Sequence, residues 1–338
     1  MMLKRIRGIR LAKEVYIKES GSVVGEKEGD GQWGNLFDVV HEDAYIGKDN
    51  WEDAESELQR IALMVALTKS NTAPEDIDCM FAGDLLSQST ASSYGLVDFS
   101  IPHYGIYGAC SNCGEGLALA AMLLASNMLS CIAVVTSSHF GSAEKEFRFP
   151  LAYGSQRPPC TTWTVTGSAA FILEAQKREK SMAKIVAITM GEMVDPGIKD
   201  FQNMGVCMAP ATALTIEASI NDLPYKVEEY DQIITGDLGE IGSVALYDLL
   251  MLKGIDIKEK HMDCGLMIYD REKQDVNAGG SGCGCSATML SAYILPKLST
   301  GEWARVLFVP TGALLSKVRS QEGMSIPGIA HAVVIEKL

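Results

Sequence analysis

Cys110 stands just ahead of an apolar run, 116–128, that reads as a buried helix. A cysteine at a helix start lies at the positive end of the helix dipole, which favours thiolate over thiol, and the free N–H groups there can hold a developing oxyanion. Cys113, one turn further in, reads as small apolar filler, the usual state of a free cysteine. Asp84 and Asp237 each follow a glycine at the end of a short apolar strand, the edge at which open α/β sheets bind ligands. Aspartate also caps turns through local side-chain to backbone bonds, so each has a local reading as well. Arg148 and Arg157 flank Pro150 and Pro158-Pro159 in 144–159, a stretch too polar for core and rich in turn residues, as active-site loops are. Solvated surface charge is the alternative for both. Cys110-Ser111-Asn112-Cys113 and Cys283-Gly284-Cys285 supply four thiols, but pairs that open long apolar helices are unlike the hairpin knuckles of a zinc ribbon. His41, His103, His139, His261 and His331 form no pair at a ligand spacing, and His139, just past a strand end, is the one placed for a cleft.

The elements that must position these groups come in two similar sets. In the first, 54–69 predicts an amphipathic helix carrying Leu58, Ile61, Ala62 and Val65 on one stripe, followed by strands over 77–82 and 101–109, the helix behind Cys110, and strands over 131–136 and 163–174. A charged stretch, 176–184, reads as a surface crossing between halves. The pattern then restarts: a strand over 184–194, a helix over 211–223, and a strand over 230–235 stopped by Gly236-Asp237, as Gly83-Asp84 stops its counterpart. A Gly- and Cys-rich turn, 279–285, opens a helix over 287–298, and strands follow over 305–309 and 330–336. Two copies of one α/β unit imply a layered fold in which the paired helix starts face one cleft.

With 338 residues and 47% apolar composition the chain can bury a large core spanning two domain-sized halves. No apolar run reaches the length of a membrane-spanning helix, and 1–10 carries basic residues without an apolar signal core, so a soluble chain is expected. Nine irregularly spaced cysteines read as reduced thiols rather than a disulfide framework. A formal net charge of −14 argues against nucleic acid and makes the far field repel acidic small molecules, so any such ligand must be held by local groups.

Gly108-Ala109-Cys110-Ser111, leading into the helix that begins at Gly116, resembles the nucleophile turn of thiolases and ketoacyl-ACP synthases. Closer matches are Ala82-Gly83-Asp84-Leu85-Leu86, Tyr107-Gly108-Ala109-Cys110-Ser111, Tyr153-Gly154 with Gln156-Arg157-Pro158-Pro159, and Trp163-Thr164-Val165-Thr166-Gly167. Together they resemble the stage V sporulation protein AD family of spore-forming bacteria, over nearly the whole chain from Gly34 to Glu336. The resemblance implies an α/β, thiolase-like layered αβαβα fold made of two pseudo-equivalent halves, 1–178 and 179–338. It also implies a part in moving dipicolinic acid, a pyridine dicarboxylate usually carrying calcium, into the developing spore. Ketoacyl synthases need two further groups, a histidine after a second-half strand and a histidine or asparagine in the following glycine-rich turn. Here the first position falls at Gly236 and the second near Gly280-Ser281, neither of which supplies a base or a strong oxyanion donor. Since one lost oxyanion donor costs about 3 to 4 kcal/mol of transition-state stabilisation, condensing activity is not expected.

The expectation is a non-catalytic binder of dipicolinic acid, without a cofactor. Cys110, Ser111 and the helix start offer N–H groups to one carboxylate, Arg157 clamps the other, and His139, Gly236 and Ser281 complete the wall. Asp84 and Asp237 repel a free dianion but suit a calcium chelate, whose hard cation takes oxygen ligands. The alternatives are an acyltransferase or thioesterase using Cys110 with His139 as base, and a scaffold subunit with a closed cleft. The resemblance further implies other stage V sporulation AA to AF type membrane proteins as partners, and a homodimer through the strand at 101–107. It places the chain in the cytoplasm of the sporulating cell and forespore, held peripherally at the spore inner membrane by those partners.

Overall fold

The computed structural model describes residues 6–147 and 157–338. Arg148, singled out from the sequence, lies outside the described residues, as do Pro150, Tyr153, Gly154 and Gln156.

Among the described residues eleven strands make one mixed sheet. Across it the order is His261–Asp263, Gln232–Thr235, Arg305–Val309, Ala332–Glu336, Ala183–Thr189, Gly8–Val24, Gly167–Glu174, Cys131–Ser138, Cys79–Gly83 and His103–Ile106, with Val39–Val40 beside the end of Gly8–Val24. From either edge inward the pairings run parallel, parallel, antiparallel, antiparallel. The two runs meet where Gly8–Val24 pairs antiparallel with Ala183–Thr189.

Helices cover and divide this sheet. Trp51–Ser70 packs on the outer face of the first run. Its start is fixed by Asn50, whose side chain accepts from Asp53 N, and its end by Asn71 in the left-handed region at φ +50°. Asn112–Ala125 touches strands of both runs and lies between them beside Cys283–Met289, while Met204–Asp222 and Gly239–Met251 close the outer face of the second run. The layers are therefore α, β, α, β, α. Three apolar cores correspond to them: one around Leu58, Leu63 and Ile172, a central one around Leu117, Phe171 and Leu290, and one around Ile216, Leu246 and Leu307.

Most expected elements occur, with three differences. The segment 163–174 is two strands, because Trp163–Thr164 leaves the main sheet to pair with Gly280–Ser281. Residues 144–159, expected as loop, begin inside the helix Phe140–Phe147, which buries Ala143 and Glu144. The long strand Gly8–Val24 was not legible because charged residues interrupt its alternation, and its register shifts between Arg10 and Val15 where it crosses the seam.

A buried acid network ties the first outer helix to the sheet. Glu55 is fully buried and accepts hydrogen bonds from Ser137 Oγ at 2.9 Å and Ser142 Oγ at 2.5 Å. Burial, then the nearby charge of Asp84, push its acid up to about 8. A folded-state value raised above the unfolded one means that the native protein holds a proton the unfolded chain releases, so stability falls as pH rises through about 8. Buried histidines shifted down, such as His261 and His331 at about 4, act in the acid range, while Asp237, raised to about 7, adds a smaller loss at the lower edge of this window. Between about pH 6.5 and 8.5 the protein is expected to lose roughly 2 kcal/mol through Glu55. Urea melts of Glu55→Gln across that range should show the decline reduced by about that amount; an unchanged slope would assign the proton elsewhere.

Candidate functional site

The parallel strands Cys79–Gly83 and Gln232–Thr235 end on the same side of the sheet, and the starts of the two central helices converge there. Between them lies a cavity of about 280 Å³ with Cys110 in its wall. The turn that presents Cys110 is held from several directions. Ala109 adopts φ +53°, an unusual conformation for a residue with a Cβ that costs of order 1 to 3 kcal/mol. The Ala109 carbonyl accepts from Cys283 Sγ at 3.1 Å. Asn112 then bridges three segments: its Oδ1 accepts from Gly108 N at 2.5 Å, and its Nδ2 donates to Asp84 O at 3.2 Å and to Cys283 Sγ at 3.4 Å. Cys110 and Cys283, one from each central helix, pack together with Leu85 and Ala143.

The electrostatics around Cys110 run against an activated nucleophile. Burial pushes its thiol well above the ordinary value, and the charges of Asp237 and Cys283 push the same way. The thiol faces the Asp237 carboxylate within hydrogen-bonding reach. Asp237 is itself buried; its Oδ2 accepts from Gly282 N at 2.9 Å and its Oδ1 from Thr311 Oγ1 at 2.5 Å. Burial raises its acid to about 7, with the charge of Asp263 adding to the effect and the hydrogen bonds opposing it. The dipole of the helix start is thus outweighed by desolvation and by a neighbouring acid.

The other residues named from sequence are distributed as follows. Ser281 lines the cavity. Ser111 is buried and turns its Oγ back to Gly108 O at 2.7 Å. Gly236 packs where an added Cβ would meet Pro310 Cα and Thr311 N, both at 3.0 Å. Asp84 is buried in a turn, its Oδ1 accepting from Leu86 N and its Oδ2 from Ser92 N and Oγ. His139 caps the helix Phe140–Phe147: its Nδ1 accepts from Gly141 N at 3.0 Å, while Nε2 lies 2.6 Å from Ala44 O. Both ring nitrogens are occupied, and burial pushes the imidazole below its usual value. The Cys110–His139 pair that an acyltransferase would use is not formed. Arg157 lies over the parallel rings of Trp163 and Phe140, at 4.2 and 4.8 Å, and donates to Glu144 Oε1 at 2.9 Å. Among the described residues no three His, Cys, Asp or Glu side chains gather to hold a metal ion.

Several wall residues were not found from the sequence. Glu144 places a buried carboxylate there, tied to Arg157, and Tyr107, Phe147, Phe201, Met204 and Leu315 form the apolar surface. Phe201 precedes the second-half outer helix Met204–Asp222, Met204 opens it, and Leu315 follows the short strand Thr311–Ala313. No local pattern marks such residues, because their convergence depends on the crossing of the two halves.

The architecture is similar to solved thiolase-fold enzymes. Human mitochondrial 3-ketoacyl-CoA thiolase superposes with a TM-score of 0.61 at 12% identity, covering 97% of this chain and 99% of that one. 3-oxoacyl-[acyl-carrier-protein] synthase III from Aquifex aeolicus VF5 gives 0.56 at 14% identity, covering 95% and 99%. The fold is therefore thiolase-like α/β. In sequence, the chain is 41% identical over 323 residues to stage V sporulation protein AD of Bacillus subtilis (strain 168), covering 96% of this chain and 94% of that protein. The family model described as Stage V sporulation protein AD matches residues 5–336. A thiolase-like body matched end to end by that model places the chain in the stage V sporulation protein AD family.

Proposed function

We propose that this protein binds dipicolinic acid without chemical turnover, in the cavity beside Cys110, and takes part in its uptake into the developing spore. The observation that carries the reading is the pairing of Cys110 with the buried acid Asp237 where a condensing enzyme needs a base. The apolar wall of Phe147, Phe201, Met204 and Leu315 suits a flat ring, while Tyr107, Thr164, Ser281 and Ser316 offer hydroxyls to carboxylates. Glu144 in the same wall disfavours a free dianion and favours the calcium chelate, to which it adds one oxygen ligand. Of Asp84, Asp237 and Glu144, it is Glu144 that lines the cavity, which makes it the better cation contact. Arg157 then orients Glu144 rather than clamping the ligand itself.

The mirrored strand order supports a division into halves 1–178 and 179–338. No helix among the described residues is long and apolar enough to cross a membrane, so attachment to the spore inner membrane is assigned to membrane proteins of the stage V sporulation AA to AF type. The exposed edge strand His103–Ile106, flanked by Tyr94 and Val97, fits a homodimer.

Three measurements test these readings. Calorimetry should show Glu144→Gln binding free dipicolinate several-fold more tightly than the parent and the calcium chelate several-fold less tightly, with Cys110→Ala retaining both; the opposite ranking removes the cation role. Peptide-resolved mass spectrometry after iodoacetamide at pH 7.5 should find Cys110 labelled far more slowly than a free thiol, and faster in Asp237→Asn; rapid labelling of the parent would favour the acyltransferase. Light scattering should give twice the chain mass for the parent and the single-chain mass for Tyr104→Arg, whereas a monomeric parent rules the dimer out.

A further inference from the structure

The outer helix of the second half, Gly239–Met251, presents an unpartnered face. Ile241, Val244 and Met251, with Leu252 just after the helix, are 39, 54, 55 and 86% exposed. Spaced i, i+3, i+10 and i+11, they fall on one side of a helix that turns about 100° per residue. Asp248, at i+7, sits in the middle of that side. Among the described residues its carboxylate makes no hydrogen bond or ion pair, and the acids around it, Glu240 and Glu217, are already paired with Arg271 and Lys253. The opposite side of the helix carries the buried Gly242, Ser243, Leu246 and Leu250, so the stripe is surplus to the core. In the mirrored strand order this helix corresponds to Thr90–Leu96, at the opposite end of the sheet from the edge assigned above to a homodimer.

We propose that this face docks a basic amphipathic helix of another protein, one that sets a lysine or arginine on Asp248 inside a ring of apolar contacts. Charge decides among the possible occupants. A second copy meeting this face symmetrically would oppose Asp248 to Asp248 in a chain that already carries −14, and an anionic lipid surface would meet the same repulsion. A cationic helix gains from both the local carboxylate and the overall field, and its apolar side covers the four exposed side chains. None of the residues of this face lines the Cys110 cavity, so the inference stands whether or not that cavity binds dipicolinate.

The probe is a synthetic 18-residue helix-forming peptide with leucines on one side, a central arginine among them and lysines at the flanks, followed by fluorescence anisotropy with the full chain. Asp248→Lys and Val244→Glu should each weaken binding at least about tenfold, while Glu75→Lys, a charge reversal in the first half, changes it less than about twofold. The same peptide with glutamates for its basic residues should not bind. Equal losses in all three variants would reduce the attraction to net charge and overturn the proposal. So would a change in oligomeric mass in Asp248→Lys, which would make the face a self-contact, or binding of the parent to phosphatidylglycerol vesicles that Val244→Glu abolishes. Circular dichroism on each variant separates lost docking from lost folding, and a variant that does not fold is replaced by Met251→Ser, for which a several-fold loss is expected and unchanged binding counts against the proposal.

Discussion

Everything in this molecule follows from burying two helices on all sides between the two runs of one sheet. A helix in that position has no wet face, and its first turn has N–H groups that only the protein can satisfy. The sequence answers with small residues. Along the first helix, a Cβ on Gly114 would meet His331 O at 2.9 Å and one on Gly116 would meet Val134 Cγ1 at 2.7 Å. Along the second, a Cβ on Gly284 would lie 2.3 Å from Gly167 O. Cys113, Cys264 and Cys285 fill the remaining space; they are fully or almost fully buried, and burial pushes all three thiols upward. Most of the cysteines thus serve packing, as apolar residues of modest volume.

The same constraint creates the cavity and determines its chemistry. Bringing the two helix starts together places Cys110 against Cys283, and Asp237 under Cys110, in a region dry enough that charge is costly. In such a place a thiol keeps its proton and an aspartate holds one to near neutrality. A fold shared with condensing enzymes thus presents Cys110 on the strained Ala109 turn at a helix start, with the Asp237 carboxyl rather than a histidine against its thiol. Glu144 enters the wall paired to Arg157, whose guanidinium is held over Trp163 and Phe140. The wall in consequence carries one carboxylate, paired to Arg157, and a few hydroxyls on a mainly apolar surface.

Despite the pseudo-symmetry, the two ends of the sheet differ in what they expose. Each end pairs an edge strand with an outer helix, but the first exposes His103, Tyr104 and Gly105 directly, whereas the strand His261–Asp263 is half-buried and engaged through Thr235 and Tyr247. One end offers backbone and the other offers a helix face.

How much of this was legible depends on whether the signal was local. The two-fold repetition, the strand ends at Gly83-Asp84 and Gly236-Asp237, and the cysteines at helix starts are local patterns of period and turn chemistry, and they occur where the sequence placed them. The strand Gly8–Val24 was hidden because it lies on the seam, where neighbours on both sides rather than its own alternation hold it in the sheet. His139 looked catalytic from its position after a strand, yet its environment makes it a helix cap. Arg157 looked free to meet a ligand, yet a buried glutamate thirteen residues earlier takes part of its guanidinium. By itself the sequence determined the architecture, the repeated strand ends and the cysteines at the two central helix starts. Only the tertiary structure decided which polar groups face the cavity and which are already bonded, because hydrogen-bond partners and desolvation come from residues distant in the chain, brought together when the halves close on their shared central layer.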